Sequence, residues 1–304
     1  MRPLVYIISF LFTGTVASQV TLSLDQVPVT QAIEAFSKES GYRFAYNPDI
    51  LKNEPVSSKV NNISVEKAAE SLFADHYKFK IRGTYIILLP KEVTTGKSQR
   101  TEPIRIKGAV LEEGTQKKLE NVSVYEVHTL KPVLSNANGD YQIDVNLPDD
   151  IAFIAISKKN YEDTVIQVRK GTNWMVSLKR KEAVEEKVKE GSEKLMNLFS
   201  NDKVEMHAKN INLTERRWLH LALTPGISTN GFLSGQFTNK FSVNVIGGYS
   251  YALEGVELAG ALNMERSYVE GVQLAGFMNI NGDYTDGIQM AGMTNITLGP
   301  VKGS

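Results

Sequence analysis

Hydrophobic and polar positions change rhythm several times along the chain. At Val20, Leu22 and Leu24 they alternate, which is the period of a half-buried strand. From Pro28 the rhythm lengthens. Ala32, Ile33 and Phe36 recur at helical spacing, Pro28 suits the first turn of a helix, and Gly41 ends the run. Arg43 to Tyr46 reads as a strand stopped by Asn47-Pro48. Ser64 is placed to cap a second helix whose apolar face is Ala68, Ala69, Leu72 and Phe73. Tyr77 to Ile81 and Tyr85 to Leu89 then predict a hairpin around Gly83-Thr84. The predicted order over 19–91 is β-α-β-β-α-β-β, a small α+β domain.

Residues 92–103 are polar and lack any period, as a linker does. Alternation returns at Ile104, Ile106, Val110, at Val122, Val124 and at Tyr141, Ile143, Val145, with a turn signal at Asn138-Gly139. Short strands separated by turns predict an all-β sandwich over 104–179. Residues 180–215 are charged and predict a helical linker. Val184, Val188, Gly191, Leu195 and Leu198 make a narrow stripe there that can lay one edge on a neighbour.

Over 216–304 the chain becomes strand-like, then strictly repetitive. Gly255 to Met264 (GVELAGALNM), Gly271 to Ile280 (GVQLAGFMNI) and Gly287 to Ile296 (GIQMAGMTNI) follow one another at a period of 16 residues. A fixed period means one structural unit repeated. Because the period is even, each unit keeps its faces. Val272, Leu274, Gly276, Met278 and Ile280 share one, and Gln273, Ala275, Phe277 and Asn279 the other. Gly303 falls on the same period, so the array begins again where the chain stops, as in a longer array cut short.

Two architectures fit this repeat. Strands of about ten residues with an apolar outside and a small or polar inside suit a partial membrane barrel, with Tyr268 and Tyr284 in an aromatic girdle. A solenoid with one coil per repeat instead stacks Asn263, Asn279 and Asn295, and Glu257, Gln273 and Gln289, as ladders.

Composition narrows the class. The 304 residues carry 34 Lys+Arg against 34 Asp+Glu, without the basic excess of a nucleic-acid binder. No cysteine is present, which excludes disulfide scaffolds, Cys-ligated zinc and thiol catalysis. Residues 1–18 read as a signal peptide: Arg2, an apolar run from Leu4 to Phe12, and small residues at Val16 and Ser18 before Gln19. The mature chain is therefore expected to be exported and held together by packing alone.

The N-terminal segments resemble known modules. Leu22 to Ile33 (LSLDQVPVTQAI), Phe44 to Pro48 (FAYNP), Ile63 to Phe73 (ISVEKAAESLF) and the closing hairpin together resemble the secretin/TonB short N-terminal (STN) domain. The order of motifs carries this likeness more than any single motif does. Ile106 to Val110, Leu119 to Val124 and Ser135 to Tyr141 resemble the carboxypeptidase regulatory-like domain, a prealbumin-like sandwich without a peptidase site. The segment from Leu223 onward resembles C-terminal surface repeats that follow these two modules in Bacteroidetes-type envelope proteins. That last resemblance favours the partial barrel over the solenoid. Together the resemblances imply a non-enzymatic envelope protein. Its N-terminal domains face the periplasm and bind an envelope protein partner, such as a signalling or TonB-system component. Its repeats associate with the outer membrane. The alternative is a soluble surface adhesin or carbohydrate-binding β-solenoid.

Candidate chemistry is sparse. His76, His128, His207 and His220 are isolated in sequence and read as surface or strand-edge residues, with no zinc-peptidase frame. Gly96-Lys97-Ser98 lacks the glycine that a phosphate loop requires six residues before its Lys. Asn136, Asn138, Gly139 and Asp140 echo a calcium loop, but Leu134 and Val145 occupy ligand positions, so a hairpin turn is expected. Glu112-Glu113, Asp149-Asp150 and Glu185-Glu186 are adjacent pairs of solvated surface type. No catalytic, cofactor-binding or metal-ligating residue is assigned, no cofactor is expected, and no nucleic acid.

Overall fold

A computed structural model describes residues 19–46, 51, 55–82, 85–91, 103–127, 129–145, 151–169, 173–181, 195–212 and 214–303. The expected leader at 1–18, most of the linker, the Gly83-Thr84 turn, His128, Asp149-Asp150, Glu185-Glu186, and Val184, Val188 and Gly191 of the stripe lie outside the described residues. The chain divides into two compact units, 1–99 and 100–304. It is mostly β, and its C-terminal region is solenoid-like.

In the first unit β1 (Gln19–Pro28) leads into α1 (Val29–Ser40), β2 (Arg43–Ala45), β3 (Pro55–Ser64), α2 (Val65–Phe73), β4 (Tyr77–Arg82) and β5 (Tyr85–Pro90). Strand β1 pairs antiparallel with β3, while β5 lies between β2 and β4. The local signals act as their chemistry requires. Gly41 takes φ +74° beyond α1 and donates its N–H to the Ser37 carbonyl, and Ser64 Oγ accepts the Lys67 N–H at the start of α2. Apolar stripes of both helices meet the strands in one core that includes Phe36, Phe73, Ile86 and Leu88. Phe44 wedges between Phe36 and Phe73 at 5.5 and 5.2 Å, a separation at which aromatic rings attract.

The second unit opens with two facing sheets. Strands β6 (Ile104–Glu112), β9 (Asp140–Val145) and β12 (Asn173–Leu178) form one. Strands β7 (Ser123–Glu126), β8 (Pro132–Leu134), β10 (Ile151–Ser157) and β11 (Thr164–Arg169) form the other. They share a core of Ile106, Val110, Val124, Ile143, Ile154 and Leu178. The turn at Asn138-Gly139 is not the expected hairpin. It joins β8 and β9, which belong to different sheets. Asn136 Oδ1 accepts the N–H groups of Asn138 and Asp140, each at 2.9 Å, so the carbonyl that a calcium loop would need is already occupied.

The repeats do not form a partial barrel. Strands β13 (Glu215–Thr224), β14 (Ile227–Ser228), β15 (Phe237–Asn244), β17 (Ala252–Ala259), β19 (Val269–Ala275), β21 (Thr285–Ala291) and β23 (Val301–Gly303) build one long sheet. Strands β16 (Gly247–Ser250), β18 (Leu262–Glu265), β20 (Met278–Asn281) and β22 (Thr294–Thr297) build a second. From β15 onward pairing within both sheets is parallel, with Gly255, Gly271, Gly287 and Gly303 in register. A membrane barrel needs antiparallel neighbours joined by hairpins. Parallel neighbours one repeat apart require the chain to go once around, which defines a solenoid. The expected ten-residue strand is in fact two strands, broken at Gly276-Phe277.

Segment 195–212 is packed rather than a bare linker. Helix α3 (Asp202–Asn210) is capped by Asn201, whose side chain accepts the Lys203 N–H. Its Val204 and Ala208, with Met196, cover Tyr249, Met264 and Ile280 on the back of the short sheet. Of the expected stripe, Leu195 packs against this cluster, whereas Leu198 is exposed.

Candidate interaction surface

Within the strands the even-numbered face of each repeat points out and the odd-numbered face in, but at the corner between the two sheets the parity fails: Phe277, expected beside Gln273 and Asn279, is 42% exposed. The interior is polar. Asn244 Nδ2 donates to Asn263 Oδ1 at 2.9 Å, Asn263 to Asn279 at 2.9 Å, and Asn279 to Asn295 at 2.8 Å. Gln289 donates to Gln273 and Gln273 to Glu257, both at 2.8 Å. These are the two ladders that the solenoid reading anticipates. Tyr268 and Tyr284 form a third, not a membrane girdle. Their rings stack at 5.2 Å, and each hydroxyl reaches back to a carboxylate, Glu254 and Glu270 respectively.

With polar side chains turned inward, the apolar side chains of the long sheet face solvent. One row across the strands is Leu219, Phe241, Val256, Val272 and Ile288; the next is Leu221, Val243, Leu258, Leu274 and Met290. Leu221, Val243 and Leu258 are each more than 40% exposed and Met290 is 60% exposed. Trp218 packs over Phe241 at 4.9 Å and is itself 69% exposed. Beside the second row, Gly260, Gly276 and Gly292 leave a shallow open groove of about 470 Å³ floored by backbone. At strand spacings of about 4.8 Å the two rows extend roughly 20 Å across the sheet. Contiguous exposed apolar faces are often contact sites. A charged row, Glu254, Glu270, Asp286 and Lys302, borders it. The two outer faces of the solenoid thus differ. Among the described residues, α3 covers the short sheet and no segment covers the long sheet.

No protein-family model matches the chain, and no curated protein matches it significantly. Neither comparison identifies the STN or carboxypeptidase regulatory-like modules that 20–91 and 104–179 resemble.

The histidines are placed differently from expectation. His207 and His220 are buried, not surface residues. His207 Nδ1 lies 2.9 Å from Ser123 Oγ, and His220 Nδ1 lies 3.1 Å from Ser242 Oγ. Sequence spacing could not show this, because Ser123 lies 84 residues from His207 and Ser242 lies across from His220 on the paired strand β15, 22 residues on. His76 is half-buried. Among the described residues no three His, Asp or Glu side chains converge as metal ligands. Helix α3 instead uses His207 and Asn210 as a polar joint. Asn210 Nδ2 donates to the Asn121 carbonyl and to Ser123 Oγ, which ties the helix to the first sheet pair.

Burial, then the Lys203 charge, lowers the His207 pKa to about 4. Burial, then Arg217, lowers that of His220 to about 4. A base whose folded pKa lies below its unfolded value contributes stability above the unfolded value and loses it as pH falls. With an unfolded pKa near 6.5, the wild type should lose about 2 kcal/mol through His207 between pH 7 and pH 5. His207→Gln removes this contribution. The stability difference between the two proteins in urea should shrink by that amount over this interval. A difference that stays constant with pH would show that His207 is not held neutral.

Proposed function

We propose that the chain is a non-enzymatic exported envelope protein whose solenoid rests on the outer membrane through the bare face of its long sheet. The observation that carries this reading is the pair of aliphatic rows from Leu219 to Ile288 and from Leu221 to Met290, which no part of the chain covers among the described residues. A flat aliphatic face with an aromatic residue at one edge can sit in the headgroup region without crossing the bilayer, gaining about 25 cal/mol per Å² of apolar area removed from water. No described helix is long and apolar enough to cross a membrane. By its resemblance to the STN domain, the α+β module binds an envelope protein partner in the periplasm for signalling or assembly. By its resemblance to the carboxypeptidase regulatory-like domain, the two-sheet module is a prealbumin-like spacer.

The test is flotation of the full chain with vesicles of phosphatidylethanolamine and phosphatidylglycerol. The wild type should float with the vesicles. Leu258→Glu combined with Met290→Glu should stay folded and remain at the bottom. A wild type that stays at the bottom would sink the membrane reading. The second reading is a soluble adhesin or carbohydrate-binding solenoid. It is favoured by the closed polar interior, which needs no lipid to satisfy it, and it predicts retention on a polysaccharide matrix without flotation.

A further inference from the structure

In successive coils of the solenoid, the same cross-strand contact recurs with a donor on the short sheet and an acceptor on the long sheet. In the last coil Thr297 Oγ1 donates to Gln289 Oε1 at 3.1 Å. One coil earlier Asn281 Nδ2 donates to Gln273 Oε1 at 3.2 Å. One coil earlier again, the equivalent positions hold Glu265 and Glu257, which stand in register with Asn281 and Gln273. Both carboxyl groups are buried, and Glu265 lies within hydrogen-bonding reach of Glu257. Two ionised carboxylates in that position would repel one another without water to screen them.

The surrounding bonds decide which group keeps a proton. Glu257 Oε1 accepts the Asn244 amide and Oε2 accepts the Gln273 amide, each at 2.8 Å, so both of its oxygens act as acceptors. Glu265 occupies the donor position, and its Oε2 has no partner. We propose that Glu265 is a neutral carboxylic acid in the folded protein, donating its proton to Glu257, and that this buried proton makes the solenoid loosen as pH rises.

Glu257 on β17 is the ionisable group that faces Glu265. From the strands paired with β18, Ser250 of β16 and Asn281 of β20 stand in register with it, and neither carries a charge. The adjacent Arg266 is turned away, donating to the Gly235 carbonyl at 2.9 Å. Burial first, and Glu257 second, hold the Glu265 carboxyl well above the usual carboxylate range. An acid whose folded pKa is raised contributes most below its unfolded value and loses that contribution as pH climbs towards the folded value. The direction is opposite to that of His207 and His220.

Glu265→Gln replaces the protonated acid with a donor of similar shape that cannot ionise. From pH 5 to pH 8 the unfolding constant of the wild type should rise relative to the variant by about tenfold per pH unit, until the folded pKa is reached. Unfolding constants that keep a fixed ratio over this range would overturn the proposal. Should the variant fail to fold, the wild type with ¹³C-labelled glutamate provides the readout. Its infrared spectrum at pH 7 should show a protonated-carboxyl C=O stretch that disappears on unfolding. Carboxylate bands alone would overturn the proposal. So would stability that depends on added Ca²⁺ and is lost on chelation, because the pair would then hold a metal ion in place of the proton.

Discussion

Gly271→Ala should destabilise the solenoid by at least about 4 kcal/mol, although it adds a single methyl group. Gly271 has φ +141°, and a Cβ built on it would lie 2.0 Å from the carbonyl oxygen of Gly255 in the preceding coil. The stack offers no direction for relief. Gly287 is held in the same way against the Gly271 carbonyl, and both strands are fixed by in-register pairs on either side. Two costs therefore add: a backbone conformation unfavourable to an L side chain, and a backbone clash that only a widening of the coil spacing could remove. Gly114→Ala separates them. Gly114 also has positive φ, at +83°, but a Cβ there would meet nothing within 4 Å. It should cost about 1 kcal/mol, the conformational part alone. Urea unfolding of the two variants provides the comparison. A Gly271→Ala loss no larger than that of Gly114→Ala would show that the coils are not stacked as closely as the register implies.

This glycine column also marks what was legible in the sequence and what was not. The period, the parity of the faces within each strand and the amide ladders follow from residue identity every sixteenth position, because a repeat that stacks must place like on like. The direction of stacking does not follow. An even-period strand with alternate faces satisfies a tilted antiparallel barrel and a parallel solenoid equally. The features that decide between them are the corner at Gly276-Phe277 and the positive φ at Gly271, and neither has a distinctive one-dimensional signature. In the α+β unit the two helices announce themselves locally, through Gly41, Ser64 and the apolar stripes, so the order of elements is readable. The joint made by His207, Asn210 and Ser123 spans more than 80 residues of chain, and nothing local betrays it. The bare apolar face was visible as a list of residues. That no described segment covers it depends on α3 packing against the other sheet, which no single stretch of sequence encodes.

The inverted distribution of polarity gives the second large effect. Asn279→Leu should cost about 4 kcal/mol, whereas Leu258→Asn should cost at most about 1 kcal/mol. In most small domains the order would be reversed, because the buried leucine would carry the core. Here Asn279 is fully buried and makes three side-chain bonds. It accepts from Asn263, donates to Asn295 Oδ1, and donates to the Met290 carbonyl at 3.0 Å. Leucine removes all three and leaves the polar groups of neighbouring coils facing an alkyl chain, at about 1–3 kcal/mol for each group left unpaired. Leu258 is 41% exposed on the outer face, so asparagine there mainly trades strand propensity for hydration. The same change removes one aliphatic side chain from the middle of the proposed membrane-contact rows. Leu258→Asn should therefore retain stability while weakening flotation, and Asn279→Leu should lose stability first. Equal losses from the two substitutions would mean that the leucine rows are packed rather than presented, and the proposed contact face would fail with them.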